Sequence, residues 1–208
     1  MADVTLYTNP MSRGRMARWM LEEIGAPYER VVVPYGEGGT AAAQYRALNP
    51  MGKVPAIRHG DAVVTETAAI CAYLADAFPA AGLAPEPAHR AAYYRWLFFA
   101  AGCLEPAVTM HALQVEISAE RSRMVGFGTY ARTLDALEAA VSAGPYIAGD
   151  RFTAADVYVG AQVTWGLAFG SIEPRAAFTA YSERMAAREA YRRATALDDA
   201  DAKEMTAE

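Results

Sequence analysis

Asn49-Pro50-Met51-Gly52-Lys53-Val54-Pro55-Ala56-Ile57 carries the residues whose types and spacing best suit chemistry on a small polar ligand. A proline at the head of an apolar run offers no N–H to a sheet and belongs at an edge, a first position or a bulge. Two readings fit Val54-Pro55. If the bond is cis, the chain turns sharply, pairing begins just after it, and Val54 faces outward with its N–H and C=O unpaired. A peptide-like ligand can then add to that edge as a further strand. If the bond is trans, Pro55 is an ordinary edge proline. Cis accounts for about 5–6% of X–Pro bonds, so these residues alone favour trans. Glu66-Thr67 opens a helical segment twelve residues after Val54. The Thr67 N–H and hydroxyl suit a carboxylate, and Glu66 suits an ammonium. Alone, the pair reads as a plain N-cap, as does Ser12 after Asn9-Pro10-Met11.

The elements that must position these residues follow from periodicity. Val4 to Thr8 reads as a first strand, β-branched and aromatic, and Asn9-Pro10-Met11 breaks it. Met16, Trp19, Met20 and Ile24 recur at helical spacing and end at Gly25. Tyr28 to Val33 is a second strand, and Ala41 to Leu48 a short helix. Val54 to Arg58 and Ala62 to Val64 are two strands joined at Gly60-Asp61. Ile70, Tyr73, Leu74, Ala77 and Phe78 mark one face of a helix that stops before Pro79. The order is β-α-β-α-β-β-α, an α/β arrangement whose topology periodicity leaves open.

Pro79 to Pro87, with three prolines and a glycine, reads as a linker. The domains are therefore 1–79 and 88–208, with 80–87 between them, and the second is helical throughout. One long helix or a helix pair runs from Arg90 to about Ser118, and Pro106 should kink it. A helix from Arg121 to about Val141 follows, then one from Thr153 to about Phe169, and one or two from Glu173 to about Leu197. The tail from Asp198 is polar, acidic and without a stripe, and is expected to be loose. Thr153-Ala154-Ala155-Asp156 is a capping box, flanked by Phe152 and Val157 at staple positions. Its role is in folding.

Composition bounds the function. The chain has 208 residues, 53% of them hydrophobic, and a formal net charge of -5, so nothing points to nucleic acid or an anionic membrane surface. No apolar run is long enough for a bilayer, and the first residues lack the pattern of a signal peptide. Cys71 and Cys103 are expected as buried free thiols in a reducing, cytoplasmic setting. They are not spaced as metal ligands, nor are His59, His89 and His111, and no metal is expected.

Asn-Pro-x-Gly-x-Val-Pro, followed by Glu66-Thr67, resembles the glutathione-site signature of the cytosolic glutathione transferases, and Gly149 to Val157 resembles the capping motif of their C-terminal domain. The resemblance covers essentially the whole chain and points to bacterial, serine-type members, theta- or beta-like. It implies a thioredoxin-like N-terminal domain, an all-α C-terminal domain and a two-fold homodimer. The helix bearing Tyr93, Tyr94 and Trp96 would supply part of the dimer surface. It also implies glutathione as co-substrate and a small hydrophobic electrophile as the other. On that reading Val54, behind Pro55, pairs with the cysteinyl backbone. Glu66 and Thr67 hold the γ-glutamyl end, and Lys53 adds charge. Ser12 donates to the sulfur, with Asn9 and Arg13 as substitutes. Lowering a thiol pKa of about 8.5 by two units takes roughly 2.7 kcal/mol of preference for the thiolate. Tyr7 should face away from that site. A cysteine-type relative would carry Cys near Arg13, so thiol–disulfide exchange is not expected. The electrophile pocket is expected between the domains, with Met11, Phe99, Cys103, Met110, His111 and Trp165 as candidates. Arg15 and Arg18 are expected as surface or interface charges, and Glu105 as solvated or in a structural pair. Rival readings are a glutathione-dependent isomerase or dehalogenase on the same fold, or a scaffold protein that binds glutathione without turnover.

Overall fold

In a computed structural model the protein is described over residues 3–207. It divides into two compact units: residues up to Gly82 together with those from Ala187 on, and Leu83–Ala186.

The first unit is built on four strands, β1 (Val4–Thr8), β2 (Tyr28–Val32), β3 (Ala56–His59) and β4 (Ala62–Thr65), in the order β2-β1-β3-β4. β1 runs parallel to β2 and antiparallel to β3, and β3 pairs antiparallel with β4 around Gly60, whose φ is +57°. The alternation of β1 sorts its side chains. Val4, Leu6 and Thr8 are buried, while Thr5 and Tyr7 lie on the other face, where Tyr7 meets Tyr45 with ring centroids 6.2 Å apart. Helices α1 (Gly14–Ile24) and α3 (Thr67–Ala77) pack on each other and against the strands. α2 (Ala43–Leu48) carries Tyr45. α1 stops at Gly25 in the left-handed conformation, with the Gly25 N–H returned to Leu21 C=O.

The Val54–Pro55 bond is cis, and β3 starts only at Ala56, two residues later than its apolar run suggested. The tail also departs from expectation. Instead of a loose end, Glu189–Ala207 is one helix, α9, that packs along α1. The compact second unit therefore ends near Ala186 rather than at the last residue. What replaces an apolar stripe is a set of paired charges. Arg18, 2% exposed and thus not a surface charge, lies against Asp198 at 3.1 Å and Asp201 at 2.5 Å. Arg30 of β2 also meets Asp201. At the other end Glu23 takes Arg188 at 2.6 Å and Glu22 takes Arg193 at 3.1 Å.

The second unit is helical: α4 (Ala91–Phe99), α5 (Glu105–Ala112), α6 (Tyr130–Ser142), α7 (Ala154–Phe169) and α8 (Ala176–Ala186). One π turn, Ala100–Leu104, joins α4 to α5 just ahead of Pro106. Displacing the i→i−4 ladder there accommodates the missing proline N–H. α6 begins at Tyr130 instead of Arg121, because Gly126 and Gly128 interrupt the run and the Thr129 hydroxyl accepts from the Arg132 N–H. α7 begins at the expected capping box. The Thr153 N–H and hydroxyl both donate to Asp156, and the other oxygen of that carboxylate accepts from the Ile147 N–H and the Tyr181 hydroxyl. Glu105 is paired as foreseen, accepting from the Tyr158 hydroxyl at 2.8 Å.

Candidate active site

Strand register brings the predicted residues to one end of the sheet. Tyr7, Ala56 and Thr65 form a row across β1, β3 and β4. One step beyond that row, β1 leads into Asn9 to Arg13, β3 is preceded by Val54-Pro55, and β4 leads into Glu66-Thr67. Residues separated by up to 58 positions (9 to 67) thus share a sheet edge. α1 and α3 both start there.

Neither the N–H nor the C=O of Val54 has a hydrogen-bond partner among the described residues. The carbonyl just before it is fixed. Lys53 C=O accepts from the Tyr45 hydroxyl at 2.6 Å and from Asn49 Nδ2 at 2.8 Å. Burial, reinforced by Tyr7, pushes the Tyr45 phenol up to about 12, so it stays a proton donor. The Lys53 side chain is exposed. Asn49 also accepts from the Met51 N–H, closing an Asx turn that the Asn-Pro pair foreshadows.

The same tripeptide, Asn-Pro-Met, recurs at the end of β1, and Asn9 closes the same turn. Asn9 Oδ1 accepts from the Met11 N–H at 2.9 Å, and Nδ2 donates to Val33 C=O at 3.0 Å. Wholly buried and bonded at both ends, Asn9 holds the turn in place. Ser12 Oγ donates to Asn9 C=O at 2.6 Å and accepts from the Gly14 N–H at 2.9 Å. A Cβ at Gly14 would lie 1.9 Å from Thr8 Oγ1, so any larger residue there must displace the buried Thr8 side chain. Arg13 is exposed at the N-cap of α1.

Glu66 stands at the head of α3 with φ +64°, a left-handed conformation for a residue with a Cβ, and makes no capping bond. The first-turn N–H groups of α3 lack intrahelical acceptors, as at any helix start, and carry the positive end of the helix dipole. Thr67 is 8% exposed and Glu66 is exposed. An anionic group fits against the former and an ammonium against the latter.

The electrophile candidates scatter. Met11 is 73% exposed beside the Ser12 turn. In the second unit, Met110 and His111 line a cavity of about 260 Å³ with Val115, Ile117, Phe127 and Tyr130, and His111 stacks on Tyr130 at 4.0 Å. Phe99, Cys103 and Trp165 do not line it. Phe99 packs edge-on against Trp96, Trp165 against Phe169, and Cys103 lies 3.6 Å from Gly126 C=O. A second cavity of about 260 Å³, lined by Tyr7, Val31, Val33, Gly39, Tyr45 and Leu48, opens on the Tyr7 face of the sheet. Both cysteines are free, Cys71 fully buried and Cys103 half-buried; burial pushes the Cys71 thiol up to about 12, which makes it inert as a nucleophile. Among the described residues no cluster of three or more His, Cys, Asp or Glu could hold a metal ion, and no helix is long and apolar enough to cross a membrane.

Arg15, expected as a surface or interface charge, is half-buried and donates to the Pro10 carbonyl at 2.6 Å, and Tyr35, which the sequence did not single out, donates to the Met11 carbonyl at 3.2 Å; together they complete the turn around Ser12. Periodicity carries no signal for such contacts, because the acceptors are backbone atoms.

A four-stranded mixed sheet with a free cis-proline edge, followed by a helical unit, defines a thioredoxin-like fold joined to an all-α domain. Residues 11–77 match the glutathione S-transferase N-terminal domain, and residues 87–193 match the C-terminal domain. The chain is 32% identical over 167 residues to glutathione S-transferase 3 of Zea mays, covering 75% of each. It resembles the crystal structure of a glutathione transferase from Methylococcus capsulatus str. Bath at 30% identity and a TM-score of 0.77, over 94% of this chain and 98% of that one. A glutathione transferase homologue from Sulfitobacter, solved with bound glutathione, matches at 28% identity and a TM-score of 0.74, over 96% and 98% of the two chains. The chain belongs to the glutathione S-transferase family, and its activity is that of a glutathione transferase.

Proposed function

We propose that the end of the sheet around Val54 holds glutathione and that Ser12 stabilises its thiolate for attack on a small hydrophobic electrophile. The Val54 N–H and C=O, unpaired among the described residues, carry this reading, because an edge with both groups free suits an extended peptide. Pro55 keeps that edge open. The cysteinyl backbone pairs with Val54. The γ-glutamyl carboxylate takes the Thr67 N–H and hydroxyl, Glu66 takes the ammonium, and Lys53 adds a cation.

Ser12 has one proton, now given to Asn9 C=O. That carbonyl also accepts from the Ser12 N–H at 3.0 Å, so it stays satisfied when the hydroxyl turns to the sulfur. The Gly14 N–H continues to donate to Ser12 Oγ and polarises it toward giving its proton. The thiol proton leaves to solvent, and the sulfur lone pair forms the new bond to the electrophile as the leaving group departs. Asn9 acts through the shape of the turn, and Arg13 supplies positive potential to the same end. Met110 and His111, which line the cavity of the helical unit, are the proposed contacts of the electrophile. The protein acts as a cytoplasmic homodimer.

Retention on immobilised glutathione and an ultraviolet titration of the bound thiol test this. A bound thiol pKa well below the free value of about 8.5 is expected. Ser12→Ala should return it toward that value and lower turnover on the order of 10²-fold. An unchanged pKa and rate would remove Ser12 from the reaction.

A further inference from the structure

Each backbone carbonyl of the turn ahead of α1 has a donor. Asn9 C=O takes Ser12, Met11 C=O takes the Tyr35 hydroxyl, and Pro10 C=O takes Arg15 Nε at 2.6 Å. Arg15 is itself gripped from the far end of the chain, because its Nη2 donates to Asp199 of α9 at 2.7 Å. Both bonds come from one rigid planar fork, so Asp199 sets the direction in which Nε points. α9 cannot slide along α1 to release that grip without breaking the pairs of Asp198 and Asp201 with Arg18, of Asp201 with Arg30, and of Glu22 and Glu23 with Arg193 and Arg188.

We propose that Arg15, aimed by Asp199, is a positioning residue for the turn that presents Ser12, so that the C-terminal helix is a working part of the glutathione site. This rests on Ser12 being the donor to the sulfur. The Arg15–Asp199 pair adds little to global stability, since Asp199 is 54% exposed. Its effect is geometric: it removes freedom from a turn whose hydroxyl must meet a sulfur at one distance and angle, where small displacements are costly in rate.

Three variants of the full-length protein test it. Asp199→Asn frees the fork and Arg15→Lys keeps the charge without the fork. Arg193→Gln loosens the same helix pair at its other end, away from the turn. The first two should raise the KM for glutathione about tenfold and move the bound-thiol pKa upward, with thermal midpoints near wild type. Arg193→Gln should leave KM and thiol pKa as they are. If all three variants shift KM alike, the effect is general packing and the proposal fails. It fails too if Asp199→Asn leaves KM and thiol pKa untouched. Hydrogen exchange at the Met11 and Gly14 amides, both bonded within the turn, separates this from the role of Ser12. Faster exchange in Asp199→Asn supports the hold of Arg15 and Asp199 on the turn even if Ser12→Ala proves silent, and unchanged exchange overturns it.

Discussion

Glu66 pays for its position with its backbone. At φ +64° its Cβ crowds the neighbouring peptide, a cost of roughly 1–2 kcal/mol that glycine would not bear. Nothing in the local packing demands glutamate there, since the side chain is exposed and caps nothing. Glu66→Gly is therefore expected to raise the thermal midpoint while weakening retention on immobilised glutathione. A gain in stability with unaltered retention would remove the carboxylate from the site. At this scale the contiguous residues were legible in the sequence. Glu66-Thr67 announces a helix start by itself, because a cap residue acts on its immediate neighbours, whereas Val54-Pro55 alone favoured an ordinary trans proline and the freed edge was expected only from the family signature around it. Arg15 was not legible. Its partners are a carbonyl five residues back and a carboxylate 184 residues on.

Among the elements, α9 departs most from its sequence pattern. Its acidic run from Asp198 on has no apolar stripe, which predicts a loose tail, yet the helix continues through it and packs through charges. Asp198 is wholly buried, and burial, opposed by Arg18 and Arg15, pushes its carboxyl up to about 6. The native state thus holds a proton over a pH range where the unfolded chain, with the ordinary value near 3.8, has lost it. The associated stability is complete below the unfolded value and is lost as pH rises toward 6, a change on the order of 3 kcal/mol. Asp198→Asn should abolish that decline, so that the variant gains on wild type between pH 4 and 7 in urea titrations. A constant difference across that range would contradict it. α7 shows the opposite case, a sequence motif whose importance grows in the fold. The capping box alone is worth about 1–2 kcal/mol. Asp156 also holds the Ile147 N–H and the Tyr181 hydroxyl, and the pair it makes with Tyr181 is buried. Although burial raises its pKa, these bonds work against that shift and favour the ionised form. Asp156→Ala strands all of them and is expected to cost about 3–5 kcal/mol, measurable by denaturant unfolding.

For the molecule as a whole, association is the open function of the helical unit. Tyr93 and Trp96 of α4 are buried within that unit, whereas Tyr94 and Phe98 are 42% and 73% exposed with rings 6.5 Å apart. An exposed aromatic pair on one helix face suits a partner surface. Phe98→Asp should convert a wild-type dimer to monomer in sedimentation velocity without loss of helical signal; a wild-type monomer would exclude the dimer reading. The order of elements and the box at Thr153 follow from short runs of residues, because turns, caps and stripes are local physics; the family and the freed edge at Pro55 were legible only through a resemblance to a known signature. The limit of α6 at Tyr130, the ordering of α9 beyond Leu197 and the link from Arg15 to Asp199 required the folded chain. They arise from contacts between residues far apart in sequence, and no local pattern specifies which charge will meet which.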